Sequence, residues 1–235
     1  MNNKKFPQNL HFLFYAVGAV LGLAVTFFAT WADLEASYYG FDRTGGARLG
    51  SLSCPFFMTE TETTTISVQL RNSTDKKVSP SIKVDLSSPI SQNSTIEKAE
   101  LAPGESKYLA WEIGPENIDL NRFVFARIWT YAAYPLKDQE ATCGVFVLPL
   151  PGSGVAYTWS MVILSLLGMG YGLFIRRDLR TPGRNPDYER FSFLAIVITL
   201  GLVVSYLGLW LAGVLVLVLA FLVIVISLSY SFRTP

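Results

Sequence analysis

Charged residues are missing from three long stretches of this 235-residue chain. No Asp, Glu, Lys or Arg occurs in residues 6–32, 141–175 or 191–232. Charged residues make up only 16% of the whole sequence, against about 25% in an ordinary soluble domain. Because a charge at the centre of a bilayer is costly, charge-free stretches of this length are typical of membrane-spanning helices. The sequence therefore predicts an integral membrane protein.

Histidine and cysteine are also scarce. The chain has one histidine, His11, and two cysteines. No cluster has the spacing of metal ligands, and no G-x-S-x-G motif or glycine-rich phosphate loop occurs. The charge-free stretches also lack the ionisable residues of a pump or channel. We expect no catalytic, metal-binding or cofactor-binding residue, no cofactor and no enzyme activity.

The lengths of the charge-free stretches predict four membrane-spanning helices. The last stretch has 42 residues, and a single helix of that length would be about 63 Å long, twice the thickness of the hydrocarbon core. It must therefore form two helices, with a turn marked by Gly208, Trp210 and Gly213. The predicted spans are residues 10–31, 154–175, 191–208 and 212–231.

Charge asymmetry predicts the orientation of these spans. Residues 1–9, 176–190 and 232–235 together carry 8 basic and 3 acidic groups, whereas residues 33–153 carry 11 basic and 15 acidic groups. Short loops rich in Lys and Arg stay in the cytoplasm. We therefore expect a multi-pass protein of the plasma membrane, with cytoplasmic termini and an extracytoplasmic middle region. Three tryptophans fall at the predicted outer interface, where aromatic anchors are common: Trp31, Trp159 and Trp210.

The middle region alternates apolar and polar residues with the period of a β-strand. Ile66, Val68 and Leu70 share one predicted face, and further runs of this kind follow between turn sequences. Residues 32–53 are polar and glycine-bearing, which predicts a connector outside the packed domain. Residues 54–149 are predicted to form a seven-stranded β-sandwich. The expected fold class is thus a four-helix membrane bundle with an inserted β-sandwich.

Three short strings carry a resemblance to a known family. They are N-S-T at 72–74, L-A-P-G-E-S at 101–106 and L-A-W-E-I at 109–113. Together they resemble bacterial immunoglobulin-like surface domains, in which a proline-glycine turn leads into the fifth strand. The resemblance covers residues 54–149 only, and no family is recognised for the whole chain. It implies an immunoglobulin-like sandwich and no activity.

Both cysteines, Cys54 and Cys143, lie in the region predicted to be exported. An exported pair predicts a disulfide, although two unrelated buried thiols are the alternative. Cys54 precedes the first complete predicted strand, and Cys143 is predicted to open the last one. We therefore expect the bond to join the two membrane-proximal ends of the domain rather than to cross its core.

Two glycosylation sequons lie in the same region, at Asn72-Ser73-Thr74 and Asn93-Ser94-Thr95. They are acceptors only in a host that has the glycosylation machinery. Otherwise their composition is typical of turns.

Small residues recur four apart in the predicted spans: Gly18 and Gly22, Gly168 and Gly172, Gly201 and Ser205. Such pairs allow two helices to approach closely. They fit packing within the four-helix bundle and packing against a partner subunit equally well.

These observations favour a non-catalytic accessory or structural subunit of a larger complex in the cell envelope membrane. Its sandwich would be presented rigidly for assembly. The expected partners are membrane lipids and other membrane protein subunits, and not nucleic acid. One alternative is a cell-surface binding or adhesion protein that recognises a glycan or protein through aromatic residues such as Tyr131, Tyr134 and Phe146. A second is a transporter or lipid-handling component.

Overall fold

The computed structural model describes residues 10–41, 47–89, 92–131, 134–178 and 186–231. The chain divides into two compact units, one made of Met1–Thr30 and Thr158–Pro235 and the other of Trp31–Tyr157. We call the first the helical unit and the second the strand unit. The predicted cytoplasmic termini, 1–9 and 232–235, lie outside the described residues, as does much of the predicted loop 176–190.

Four helices among the described residues are long and apolar enough to cross a membrane. They are α1 (Leu10–Ala36), α2 (Gly154–Asp178), α3 (Pro186–Tyr206) and α4 (Trp210–Ser231). The turn between α3 and α4 includes Gly208, one of its three predicted markers, whereas Trp210 and Gly213 lie within α4. Gly208 has a φ of 60° there, a conformation that glycine adopts without steric cost.

Helix α1 is longer than the predicted span. It continues past Trp31 to Ala36 and ends in a π-helical turn, Ser37–Phe41. The prediction of an unpacked connector over residues 32–53 is therefore wrong for its first part. Ala32 and Ala36 are fully buried because this end of the helix packs against a β-sheet within the strand unit.

The strand unit contains eight strands among its described residues, one more than predicted. They are β1 (Ala47–Arg48), β2 (Phe57–Thr59), β3 (Thr64–Arg71), β4 (Ser81–Leu86), β5 (Asn93–Lys98), β6 (Ser106–Ile113), β7 (Phe123–Tyr131) and β8 (Gln139–Leu148). The first two strands are short: β1 has two residues and lies in the segment predicted as a connector, and β2 has three.

The strands form two sheets. The larger sheet has the order β1-β8-β7-β4-β5, and β2 also pairs with β8. It is mixed, because β1 and β2 run parallel to β8 while the other neighbours are antiparallel. The smaller sheet contains β3 and β6, which pair antiparallel over eight residues.

One hydrophobic core lies between the two sheets. It joins residues of the smaller sheet, such as Ile66 and Ile113, to residues of the larger one, such as Val84, Val124 and Val145. The alternation predicted for β3 is present, since Ile66, Val68 and Leu70 are all buried in this core. We call the sheet faces that point away from this core the outer faces.

The end of α1 covers the part of the larger sheet's outer face that is formed by β7 and β8. The Trp31 ring lies 5.4 Å from that of Phe123, and the Tyr39 ring stacks on Phe125 at 5.8 Å. Gly144 of β8 contacts the backbone of Ala32 so closely that any side chain at 144 would overlap the Ala32 carbonyl. The helix therefore rests directly on the strand backbone at this point.

The disulfide between Cys54 and Cys143 is present, with the two Cα atoms 6.6 Å apart. Cys143 lies in the middle of β8 and belongs to the core, and Cys54 packs against that core. The neighbouring Ser53 bridges to Ser67 of β3. The bond thus connects the β3 side of the core with β8. The expectation that it joins the domain's two ends outside the core is wrong, because β8 begins four residues earlier than the sequence suggested.

Glu62, which precedes β3, fixes the first residues of α2. Its Oε2 accepts a hydrogen bond from the Gly154 backbone N–H at 2.7 Å, and its Oε1 accepts one from the Ser153 hydroxyl at 2.7 Å. A carboxylate in this position satisfies a backbone donor that the helix itself leaves without a partner. A side chain 92 residues earlier in the chain therefore stabilises the first residues of α2.

Candidate interaction site

Strand β5 lies at the end of the larger sheet, and all six of its residues are exposed. Among the described strands, only β4 pairs with it. Its free edge presents backbone N–H and C=O groups that another strand can bind. Ile96, on the outer face of this strand, is 60% exposed.

Strand β6 provides a second free edge beside the first. Within the described part of the chain it pairs only with β3. The indole N–H of Trp111 in β6 donates a hydrogen bond of 2.7 Å to Glu97 in β5, and this bond joins the two sheets along their margin. Tyr108, on the outer face of β6, is 67% exposed. We call the two strands together the β5–β6 edge.

The β5–β6 edge carries both large apolar and charged side chains. Ile96 flanks it on one side and Tyr108 on the other, and both are large apolar side chains open to solvent. Charges of both signs lie between and beside them: Glu97 and Lys98 in β5, and Lys107 and Glu112 in β6. Free strand edges with flanking side chains bind extended segments of a partner by strand addition.

A buried charge network holds the neighbouring strands in register. The Asp85 carboxylate of β4 is 1% exposed and accepts hydrogen bonds from Arg127 of β7 at 2.6 and 2.9 Å. It also accepts one from the Ser94 hydroxyl of β5, and Lys83 lies 3.1 Å away. Ser94, Asp85 and Arg127 are direct cross-strand partners, so this row ties the edge strand β5 to the centre of the sheet.

The network also determines the charge of Asp85. Burial raises the pKa of this carboxyl, but hydrogen bonds from Ser94, Arg127 and Lys83 lower it by more, so the pKa lies below its ordinary value. Arg127 in turn donates a hydrogen bond of 3.3 Å to the Gly40 carbonyl in the π-helical turn. One arginine therefore contacts both the sheet and the segment that covers it.

The predicted small residues pack inside the helical unit. A side chain at Gly18 would overlap the backbone of Ser165 and Met169, and one at Gly168 would overlap Phe14 and Gly18. Gly172 contacts Tyr15 in the same way. Of the two uses that the sequence left open for these glycines, the contacts in the structure are those of helix packing within the chain.

The third predicted pair lies on α3. Gly201 faces Thr26 of α1, and Gly22 faces Ile198 and Ser165. Ser205 is buried one turn beyond Gly201. These positions bring α1 close to α2 and α3 along the length of the helical unit.

The three predicted interface tryptophans have different surroundings. Trp31 is partly buried against the rings of Phe123 and Phe146, and its indole N–H donates to Glu35. Trp159 is 57% exposed. Trp210 is the first residue of α4 and is partly exposed.

Of the three aromatic residues considered for ligand recognition, Tyr134 is 95% exposed, whereas Phe146 is buried and Tyr131 is partly buried. Tyr131 lies against Trp129, with ring centroids 4.6 Å apart. The structure does not bring the three together into one exposed aromatic surface.

The sequence alone does not identify the β5–β6 edge as a candidate site, because its polar and charged residues resemble those of any solvated strand.

No group of three or more His, Cys, Asp and Glu side chains within the described ranges could hold a metal ion. His11 lies in a shallow depression of the helical unit beside Phe12 and Tyr15.

The sequence matches no family model and no curated protein. Solved structures with partial similarity include a β-glucosidase from Erythrobacter marinus, at 17% identity, a TM-score of 0.29, and coverage of 40% of this chain and 14% of that one. A cycloisomaltooligosaccharide glucanotransferase from Paenibacillus matches at 14% identity and a TM-score of 0.34, covering 43% of this chain and 14% of its own. A β-glucuronidase from Bacteroides uniformis matches at 15% identity and a TM-score of 0.32, over 41% and 13%.

These similarities are weak. The chain spans about one seventh of each of these proteins, and every TM-score lies below 0.5. They therefore carry no argument about the fold or the activity of this chain.

Proposed function

We propose that this protein is a non-catalytic accessory subunit of a membrane complex, and that the β5–β6 edge is where its strand unit binds a partner protein. The observation that carries the proposal is the pair of free strand edges flanked by the exposed Ile96 and Tyr108. Exposed strand edges are a liability that proteins normally cover or block. A bound partner strand would cover this one.

The proposal includes insertion into the plasma membrane through four helices. Their length and mean hydropathy support it, and the excess of Lys and Arg in the predicted cytoplasmic segments supports the orientation. Resistance of the full-length chain to extraction by alkaline carbonate tests the insertion. Its release into the soluble fraction would contradict it.

The proposal also includes an immunoglobulin-like architecture for the strand unit. In such domains one sheet contains the third, sixth and seventh strands, and the other contains the second and fifth. If the two-residue β1 is left out of the numbering, these strands correspond to β4, β7 and β8 in one sheet and to β3 and β6 in the other. The observed order β8-β7-β4-β5 and the pair β3-β6 support this assignment, as does the shared core.

The site is tested by co-purification from membranes in a mild detergent. We expect the wild-type chain to retain a partner protein and the double variant Ile96→Glu/Tyr108→Glu to lose it. Both side chains are exposed, so the variant should fold normally.

The matched control is Leu120→Glu/Tyr134→Glu. It places the same charges on exposed apolar residues of the strand unit away from β5 and β6, at 41% and 95% exposure. Retention of the partner by the control and its loss from the Ile96/Tyr108 variant would support the site. Equal retention by both variants would rule it out.

A further inference from the structure

In the described part of the strand unit, the smaller sheet ends at β6 and leaves β5 without a strand opposite it. The smaller sheet consists of β3 and β6, whereas the larger one continues through β4 to β5. Ile82 and Val84 of β4 are buried in the core, but all six residues of β5 are exposed. One more strand beside β6 would lie opposite β5 and cover it.

The backbone of β6 can bind such a strand. The N–H and C=O groups of Ser67 in β3 bond to Ser53, on the side away from β6. Backbone groups along an antiparallel strand point alternately to its two sides. Ala110, which lies opposite Ser67, therefore points its own N–H and C=O to the free edge, as do Tyr108 and Glu112 two residues to either side.

The free edge of β5 offers less surface to a partner. Ala99 donates its backbone N–H to the Pro80 carbonyl, in line with the β4–β5 pairing. By the same alternation, Ile96 points its backbone groups to the free edge. A strand bound there would extend the larger sheet further, with no sheet opposite it. A strand beside β6 would gain the backbone bonds of β6 and the uncovered face of β5 together.

The side chains around this position specify the strand that fits it. Glu97 lies on the face of β5 that points toward β6, because it accepts the hydrogen bond of the Trp111 indole. Glu112, next to Trp111, is exposed on the outer face of β6. A strand beside β6 would therefore pass two carboxylates at one end, and Tyr108 and Lys107 at the other. Because its side chains alternate between the two faces, it can present cations to both carboxylates.

We propose that an extended segment of the partner protein adds to the free edge of β6 and fills the position opposite β5. The segment carries Lys or Arg where it passes Glu97 and Glu112, and an apolar side chain where it passes Tyr108. Main-chain hydrogen bonds provide affinity in strand addition, and opposite charges and aromatic pairs on neighbouring strands stabilise the register. The inference rests on the proposed function and states which of the two edges the partner occupies.

Photo-crosslinking of the full-length chain in its native membranes tests this placement. The photoreactive p-benzoylphenylalanine replaces Tyr108 in one variant and, as a control, Tyr134 in another, which is exposed outside β5 and β6. We expect position 108 to crosslink to another protein and position 134 not to crosslink to that protein. The crosslinked segment, sequenced by mass spectrometry, should carry Lys or Arg three or four residues from the crosslinked residue, the spacing of Trp111 and Glu112 from Tyr108.

A proline variant tests the backbone bonds. Ala110→Pro removes an N–H from the free edge of β6 and no bond to β3, a position at which strands tolerate proline. It should reduce crosslinking from position 108 by about tenfold or more, since it deletes a hydrogen bond and crowds the incoming backbone. Thr65→Pro is the matched control, because Thr65 is exposed and points its N–H to the opposite edge of the same sheet. It should leave the crosslinking unchanged.

A second variant leaves the backbone intact and tests the charges. Glu97→Gln/Glu112→Gln should lower the crosslinking yield by about tenfold, as expected for the loss of two charge-assisted contacts. Glu60→Gln/Asp75→Asn removes the same charge from exposed positions outside β5 and β6 and should have no effect. This variant decides the matter even if Ala110→Pro does not fold.

Four results would overturn the proposal. They are no crosslink from position 108, a crosslink to a second copy of this chain, a crosslinked segment without a basic residue at the stated spacing, and full crosslinking in the folded Ala110→Pro or the Glu97→Gln/Glu112→Gln variant. If Ile96→Glu/Tyr108→Glu still lost the partner in those cases, the proposed site would stand and only the placement beside β6 would fail. If that variant kept the partner, the site itself would fail.

Discussion

Asp33 of α1 accepts a hydrogen bond of 2.8 Å from the backbone N–H of Gly144 in β8. Strand β8 pairs with β1 up to Glu140 and with β2 from Phe146 onward, so this N–H lies in the gap between the two short strands. A side-chain oxygen of the helix therefore accepts the hydrogen bond that a neighbouring strand would otherwise accept at this edge of the sheet. The same contact requires glycine at position 144, because the helix backbone leaves no room for a side chain.

Replacing Gly144 by alanine should destabilise the strand unit by about 1–3 kcal/mol, the usual range for overpacking a filled core. The new methyl group would overlap the Ala32 carbonyl, and neither backbone can move without breaking other contacts. Thermal unfolding followed by circular dichroism in detergent measures the change. Gly50→Ala is the control, because a Cβ atom at Gly50 meets nothing within 4 Å. Equal melting temperatures for the two variants would show that the helix does not rest on β8 as described.

Removing the disulfide should cost the strand unit about 4–5 kcal/mol of unfolding free energy. The bond joins residues 89 apart in the sequence, and closing so long a loop in the unfolded chain removes much of its entropy. Denaturant unfolding of the Cys54→Ser/Cys143→Ser variant against the oxidised wild type measures the loss. An unchanged midpoint would mean that the bond contributes nothing to stability.

Asp85 should make the strand unit less stable as the pH falls into the acid range. Its pKa is lower in the folded state than in the unfolded chain, so the native state binds fewer protons. The stabilisation is present above the unfolded pKa, near 3.8, and is lost as the pH falls through the folded pKa. Asp85→Asn should therefore reduce stability at pH 7 by about 3 kcal/mol, since it replaces the carboxylate that accepts two hydrogen bonds from Arg127.

Unfolding midpoints of Asp85→Asn and wild type, measured from pH 7 down to pH 2, check this prediction. The difference between them should shrink as the solution becomes acidic. Glu100→Gln is the control, because Glu100 forms an exposed ion pair with Lys77 and should leave the midpoint nearly unchanged. A constant difference at all pH values would contradict the role assigned to the Asp85 carboxylate.

In a host that glycosylates the strand unit, only Asn93 should carry a glycan. Asn72 is fully buried, and its amide group donates hydrogen bonds to the carbonyls of Lys76, Leu101 and Ala102. Asn93 is exposed at the start of β5. Intact mass should therefore show one glycan, which Asn93→Gln abolishes.

The buried position of Asn72 also predicts its effect on stability. Asn72→Ala should destabilise the unit by about 1–3 kcal/mol, because it removes the hydrogen bonds that the buried amide donates to the carbonyls of Lys76, Leu101 and Ala102. Asn93→Ala should have little effect. A glycan found on Asn72 in the folded protein would contradict the described environment.

The alternation of apolar residues and the distribution of charged residues predicted the four long apolar helices and the presence of strands. The 42-residue uncharged stretch had to contain two helices, and the alternation of Ile66, Val68 and Leu70 identified a strand with one buried face. The disulfide followed from the location of the two cysteines. In each case the signal is local, because it depends on residues close together in the chain or on composition alone.

The features that the sequence could not predict depend on distant residues. Asp33 and Glu35 give the end of α1 the composition of a solvated connector, whereas its packing depends on contacts with distant residues, such as that of Asp33 with Gly144 and that of Trp31 with Phe123. Asp85 and Arg127 are 42 residues apart, and nothing in either segment marks them as partners. The β5–β6 edge depends on strand order, which the alternation of polar and apolar residues does not specify.

The mass and composition of the particle released from native membranes by a mild detergent test the central claim most directly. The account predicts a particle that contains this chain together with at least one other membrane protein, held through the β5–β6 edge. Recovery of the chain alone as a monomer, with its disulfide intact and its strand unit folded, would contradict it.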